Sequence, residues 1–364
     1  MNVGILTFHA SHNYGSMLQA YALQRILDKI GVDNEIINFR TDIQKSLTPP
    51  PISLSHPRSS ALTCLKNPTR TWMLLKKYHR FEQFLNTFLN TSKELHSAKE
   101  IEDYVRLRQF DAIITGSDQI WNPACWDFDM SYLIDFDYGG KRIAYAPSLG
   151  SHPEDITNND MNRLIKALER YDSLSTRESR GQNFLSQFIN REIKAVLDPT
   201  MLLDKTDYME IANVRIPVKE PYIFYYTPRE ESGFFRKARE FAQKQGIKIL
   251  VTQSYEEYCG DNVVKMLDCG PREFLSIIKN ATLCIGNSFH LLAFSLIFLR
   301  EFILLSNETD SRMMNILSLV GLTDRLIVGD ASISYNDQID FGAVLKKLSS
   351  LKDESMRYLE NALV

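Results

Sequence analysis

Val3-Gly4-Ile5-Leu6-Thr7-Phe8, followed by the polar turn His9 to Gly15, then Ser16 to Ile30, and then Glu35-Ile36-Ile37-Asn38-Phe39, is the stretch that decides the fold. Val3 to Phe8 is a short apolar run of strand length. Ser16 to Ile30 has helical spacing, with Leu18, Tyr21, Ala22 and Leu27 on the apolar side, and Gly31 closes it as a helix-terminating glycine. Glu35 to Phe39 reads as a second strand, so residues 3 to 39 form a β-α-β unit, the connection that parallel strands require.

The same alternation continues outward. Residues 41 to 60 carry Pro49-Pro50-Pro51 and Pro57 among serines and read as a loop or partly ordered insertion. Helical patterns follow near Arg70 to Asn90 and Lys99 to Arg108, then strands at Asp111 to Thr115 and Arg142 to Ala146. Asp160 to Arg170 and Arg177 to Phe188 read as helices around a strand at Asp172 to Ser175, with another at Ala195 to Leu197. A second series begins with strands at Tyr222 to Tyr226, Ile247 to Thr252, Leu283 to Gly286 and Phe302 to Leu305, and helices at Phe234 to Gln245, Arg272 to Lys279 and Leu291 to Leu299. Repeated strand-helix alternation predicts two parallel, doubly wound sheets with a cleft between them. The expected partition is residues 1–215, residues 216–338 and a C-terminal helix over 339–364.

Composition agrees and narrows the function classes. At about 150 residues per domain, 364 residues serve two or three compact units. A net charge of −3 without long single-sign blocks offers no nucleic-acid footprint. Five cysteines, an odd count with no CxxC pair, suggest neither a disulfide framework nor a zinc ribbon, and a reducing compartment is the simpler reading. Residues 1–7 lack the pattern of a secretory signal, and Leu291 to Leu299 is too short to span a bilayer, so a cytoplasmic protein is expected.

Ligands of open α/β sheets bind beyond the carboxyl ends of the strands, so the polar residues there are the candidates. Asn13, Tyr14 and Gly15 form either a ligand-facing loop or a capped turn. Ser117, Asp118, Gln119, Trp121 and Asn122 place hydroxyl, carboxylate and amide groups beside an indole, a mixture suited to sugars and favoured over the alternative in which Trp121 caps the core and Ser117 and Asp118 start a turn. Arg177 and Glu178 offer a guanidinium for a carboxylate or phosphate, or pair with each other. Asn287 and Ser288 can cap the apolar helix, in whose first turn His290 lies as either a structural residue or an acid-base group. Arg312 is a second candidate cation, with solvent exposure as its alternative. Asp127-Phe128-Asp129 and Asp135-Phe136-Asp137 fit a metal-binding DxD pattern, but so short a pattern is common by chance.

Thr7-Phe8-His9 with Asn13-Tyr14-Gly15 and Leu18 to Leu23, then Gly116 to Asn122, Arg177-Glu178, Asp198-Pro199-Thr200, Ser288-Phe289-His290 and the Arg312 to Arg325 segment, in this order, resemble the polysaccharide pyruvyl transferase family. The resemblance covers nearly the whole chain. It implies two Rossmann-like, doubly wound α/β domains facing a cleft, the GT-B-like arrangement, with the acceptor on the first domain and phosphoenolpyruvate on the second. It implies a ketal-forming transferase that moves pyruvyl from phosphoenolpyruvate onto two hydroxyls of a sugar in a surface or exopolysaccharide (capsule) precursor, releasing phosphate. His290 then matches the general acid, and Arg177 and Arg312 the donor-binding cations. No metal and no cofactor are implied, and a lipid-linked acceptor would bring the protein to a membrane surface peripherally. Ser288 stands where some members of the family carry Arg, and Leu291 where the family usually carries Gly. The competing expectations are a GT-B-type nucleotide-sugar glycosyltransferase and a non-catalytic glycan-binding protein of the same pathway.

Overall fold

The computed structural model describes residues 1–52, 67–231, 233–308, 310–333 and 338–364. Cys64 and part of the Pro-rich insertion lie outside them. The chain divides into two compact units, one of Met1–Pro49, Leu85–Leu203 and Leu348–Val364, the other of Pro50–Phe84 and Asp204–Lys347.

The first unit contains β1 (Asn2–Leu6), β2 (Asp33–Ile36), β3 (Ala112–Thr115) and β4 (Lys141–Ala144), all parallel, in the order β2-β1-β3-β4. A second parallel pair, β5 (Leu174–Thr176) and β6 (Ile193–Ala195), follows, and the backbone N–H of Ala144 donates to Ser173 O at 2.9 Å. Val3, Ile5, Leu6, Ile113 and Ile114 are fully buried, as strands covered on both faces must be, which is why they read as apolar runs rather than alternations. The helix Tyr14–Lys29 carries the chain from β1 back to β2, with Asn13 as its N-cap.

The second unit is a six-stranded parallel sheet of β7 (Tyr222–Tyr226), β8 (Lys248–Val251), β9 (Val263–Lys265), β10 (Leu283–Gly286), β11 (Phe302–Ser306) and β12 (Leu326–Val328). Its order, β12-β11-β10-β7-β8-β9, is that of a doubly wound dinucleotide-binding sheet and reverses direction between β7 and β10. The helix Phe289–Phe298 is apolar on every side, and only His290 and Ile297 escape full burial. Among the described residues no helix is long and apolar enough to cross a membrane.

Three sequence expectations need correction. The units are not contiguous. Lys77 and Arg80 of the helix Pro68–Phe88 donate to the carbonyls of Thr252 and Asp268, which ties that stretch to the second sheet. The helix Phe341–Leu363 returns to the first unit, where the Ser355 hydroxyl accepts from Leu197 N–H and Tyr358 donates to Ala144 O. Within the expected loop after residue 41, Asp42–Leu47 is a helix held by a Thr41/Gln44 capping box. Strands β9 and β12 were not expected, because each is three residues long and only half buried and so lacks an apolar run.

Two strand ends approach a neighbouring backbone so closely that only glycine fits. A Cβ on Gly116, just after β3, would lie 2.0 Å from Tyr145 O, and one on Gly286, ending β10, would lie 1.8 Å from Tyr226 O. Gly286→Ala should therefore cost about 2–3 kcal/mol or more of unfolding free energy in urea. The exposed Gly139, with open space around it, should accept alanine with little change.

Candidate functional site

In the first unit the order reverses between β1 and β3, and their carboxyl ends are joined by side chains. The Gln19 amide nitrogen lies 2.9 Å from Thr7 Oγ1, Phe8 O and Ser16 O, while its oxygen accepts from Ser117 N–H at 3.2 Å. The Ser16 hydroxyl donates to Asp118 Oδ2 at 2.5 Å, and Asp118 sits in left-handed backbone at φ 69°. Asn13 is exposed and its side-chain oxygen accepts from Gly15 N–H at 2.8 Å, so it is a helix cap; Tyr14 and Gly15 are buried.

Beneath this edge lies a cluster of buried charges. The Arg177 guanidinium, 3% exposed, lies 3.3 Å from Asp198 Oδ2 and 3.5 Å from Glu178 Oε2. Burial alone would lower its pKa, but Glu178, Asp198 and, more weakly, Asp118 outweigh it and the shift is upward. Asp198 also accepts from the Thr200 hydroxyl at 2.7 Å and lies 2.9 Å from the Ser117 hydroxyl, and Ser148 donates to Glu178 at 2.6 Å. Of the two sequence readings of Arg177, an anion-binding fork and a pair with Glu178, the structure shows the pair, with Asp198 as a second carboxylate. Asp198 and Ser148 had been given no role, because nothing local marks them as partners of residues 20 to 30 positions away.

Trp121 needs a similar correction. Its indole is 0% exposed and packs edge-on against Tyr171 at 5.9 Å, so no sugar can stack on it. Asn122 donates to Gln119 at 3.0 Å, and both remain partly exposed. One carboxylate of each DxD pair has a partner within the protein: Asp129 caps the turn Met130–Leu133, and Asp135 faces Arg170 at 3.7 Å. No metal-holding cluster occurs among the described residues.

The second unit presents its polar groups where β7 and β10 diverge. Ser288 caps the helix Phe289–Phe298, accepting from Leu291 N–H at 3.3 Å, and the half-buried His290 lies in that first turn with its ring edge-on to Phe289. Asn287 donates to Glu231 at 2.9 Å, and its side-chain oxygen is buried with no hydrogen-bond partner among the described residues. Asn307 donates to the other oxygen of Glu231. Arg312 is gripped by its own helix cap, Asp310, through Nε at 3.2 Å and Nη2 at 2.6 Å, which leaves it half-buried and neutralised. Glu230 accepts from Tyr225, Thr227 and Tyr258. Glu230 and Glu231 were missed in the sequence, although the strand-end rule applied to Tyr226 would have reached them.

Arg177→Met should destabilise the protein by about 3–5 kcal/mol in denaturant titrations, since it strands two buried carboxylates. His9, 1% exposed between Thr7 O and Asn38, is held below its ordinary 6.5, chiefly by burial. The unfolded chain binds that proton below pH 6.5 and the folded one resists it, so stability should fall as pH drops through this range. His9→Gln should flatten that part of the profile in thermal melts.

Solved structures with the same fold include the UDP-GlcNAc 2-epimerase from Neisseria meningitidis bound to UDP-GlcNAc, at TM-score 0.54 and 8% identity, covering 98% of this chain and 94% of that one. Another is the UDP-GlcNAc 2-epimerase from Methanocaldococcus jannaschii in complex with UDP-GlcNAc and UDP, at TM-score 0.52 and 12% identity, covering 97% and 93%. The likeness establishes a GT-B-like α/β fold. No curated protein matches the sequence. The family profile described as polysaccharide pyruvyl transferase matches residues 13–309, which include Asp118, Arg177, Asn287, Ser288 and His290. The chain belongs to the polysaccharide pyruvyl transferase family.

Proposed function

We propose that the protein transfers pyruvyl from phosphoenolpyruvate to two hydroxyls of one sugar, forming a cyclic ketal and inorganic phosphate. The observation that carries this reading is His290. It is a half-buried imidazole in the first turn of an apolar helix, at the carboxyl edge of β10 where the second sheet reverses order. Helix starts at such edges favour anions through their N–H groups and dipole.

In the proposed sequence His290 gives a proton to the methylene carbon of the donor, and C2 becomes electrophilic. The first sugar hydroxyl adds at C2 and loses its proton, which returns the imidazole to its acid form for a second use. Phosphate then leaves, and the second hydroxyl closes the ketal. Of the two hydroxyl protons, one ends on the new methyl group and the other on phosphate, so the overall reaction consumes no water and needs no redox partner. Asn287 and Ser288 line the donor side. Arg312 joins them only by giving up Asp310, so the helix start carries most of the anion's charge. Asp118, with Ser16 and Gln119 on its carboxyl, faces the acceptor side.

Phosphoenolpyruvate as donor, a glycan or lipid-linked saccharide of a surface polysaccharide as acceptor, and a cytoplasmic site of action belong to this proposal. Phosphate release should require both phosphoenolpyruvate and an acceptor. His290→Asn should lower kcat about 10²- to 10⁴-fold while phosphoenolpyruvate still raises Tm. Consumption of a nucleotide sugar with indifference to phosphoenolpyruvate would establish a glycosyltransferase instead, and saccharide binding without turnover would establish a binding protein.

A further inference from the structure

Beside the carboxyl ends of β1 and β2 the first unit has a small pocket that the reaction above does not use. Its walls are Phe8, Phe39 and Tyr132, with Tyr132 edge-on to the other two at 5.0 and 5.6 Å. Gln44 closes one side, and its carboxamide is fully engaged, donating to Asp127 O at 3.1 Å and to Tyr132 Oη at 2.7 Å and accepting from Thr41 N–H at 3.2 Å.

Two polar groups in the pocket are left with capacity. The Ser11 hydroxyl oxygen is buried and has no hydrogen-bond partner among the described residues. The Asp127 carboxyl receives no hydrogen bond from another residue's side chain among the described residues, and burial, with a smaller contribution from the charge of Asp118, pushes it up to about 6. A buried hydroxyl without a partner costs free energy that native folds rarely leave uncompensated, and a carboxylate poor in donors favours a ligand that brings one. The space is about 20 Å³, room for one water-sized group. It is too small for a sugar ring.

We infer that this pocket reads one hydroxyl of the acceptor sugar, which donates to Asp127 and accepts from the Ser11 hydroxyl while the carbon that bears it rests at the rim of the aromatic walls. Carbohydrate recognition combines these elements, a donor-poor carboxylate and apolar ring faces around a single hydroxyl. Leu47, exposed at the rim, leaves the rest of the sugar outside. The inference rests on the acceptor being a saccharide, as proposed above, and it selects which saccharide.

The test uses the full-length protein and a panel of methyl glycosides of common hexoses and N-acetylhexosamines with their single-deoxy analogues, with binding read by saturation-transfer NMR and titration. At least one parent glycoside should bind, and Ser11→Ala and Asp127→Asn should each weaken it about tenfold or more. The deoxy analogue that lacks this hydroxyl should bind wild type and both variants alike. Ser11→Ala should leave Tm unchanged or raise it, because it removes an unpaired buried hydroxyl, so its effect on binding is not a folding defect. Equal binding of the parent glycoside by wild type and variants, or no glycoside binding to the wild type, overturns the inference. Phosphoenolpyruvate binding, measured in parallel, tests the donor reading separately: glycosides bound through Ser11 without any response to phosphoenolpyruvate would retain the subsite and remove the pyruvyl donor.

Discussion

Every strand pair among the described residues is parallel, and that single constraint organises the rest of the molecule. Parallel strands need a crossover between each pair, so all carboxyl ends of a sheet share one edge, and the loops there meet helix starts. Gly116 and Gly286 mark where two backbones at that edge come closest. A side chain at either point would separate neighbouring strand ends and displace the loops bearing Ser117 and Asp118 in one unit, or Asn287, Ser288 and His290 in the other.

Charge is balanced locally. Arg177 sits between Glu178 and Asp198, Arg312 against Asp310, and Arg325 against Glu301 at 2.9 Å. Burying an unpaired guanidinium would be prohibitively costly, so each was folded in with its carboxylate. An anion reaching the strand edge of the second unit would therefore be met by a capped helix start and by whatever ion pairs it can open. Ser288 fits that arrangement, since it supplies a helix cap and no charge.

The strand-helix alternation was legible because fully buried parallel strands are written as unbroken apolar runs, as in Ile113-Ile114 or Tyr222 to Tyr226. Edge strands such as Val263–Lys265, half exposed and three residues long, leave no such mark. The candidate residues were also legible as positions, since a strand end followed by Gly and polar residues can be found by eye. Their orientation was not. Trp121 and Arg177 looked like ligand-facing groups, yet one fills the core and the other is consumed by carboxylates. Asp198, Ser148 and Ser16 became visible only as the partners of Arg177, Glu178 and Asp118.

By itself the sequence determined two α/β series, the strand ends where polar residues gather, and the family, because all three are carried by local periodicity and ordered motifs. The tertiary structure decided which of those polar residues are spent and which remain available. It also decided that residues 50–84 and 348–364 each join the unit other than the one suggested by their place in the chain. Burial and hydrogen-bond partners depend on residues far apart in sequence, 158 positions for Leu197 with Ser355 and 214 for Ala144 with Tyr358, and no local pattern encodes those distances.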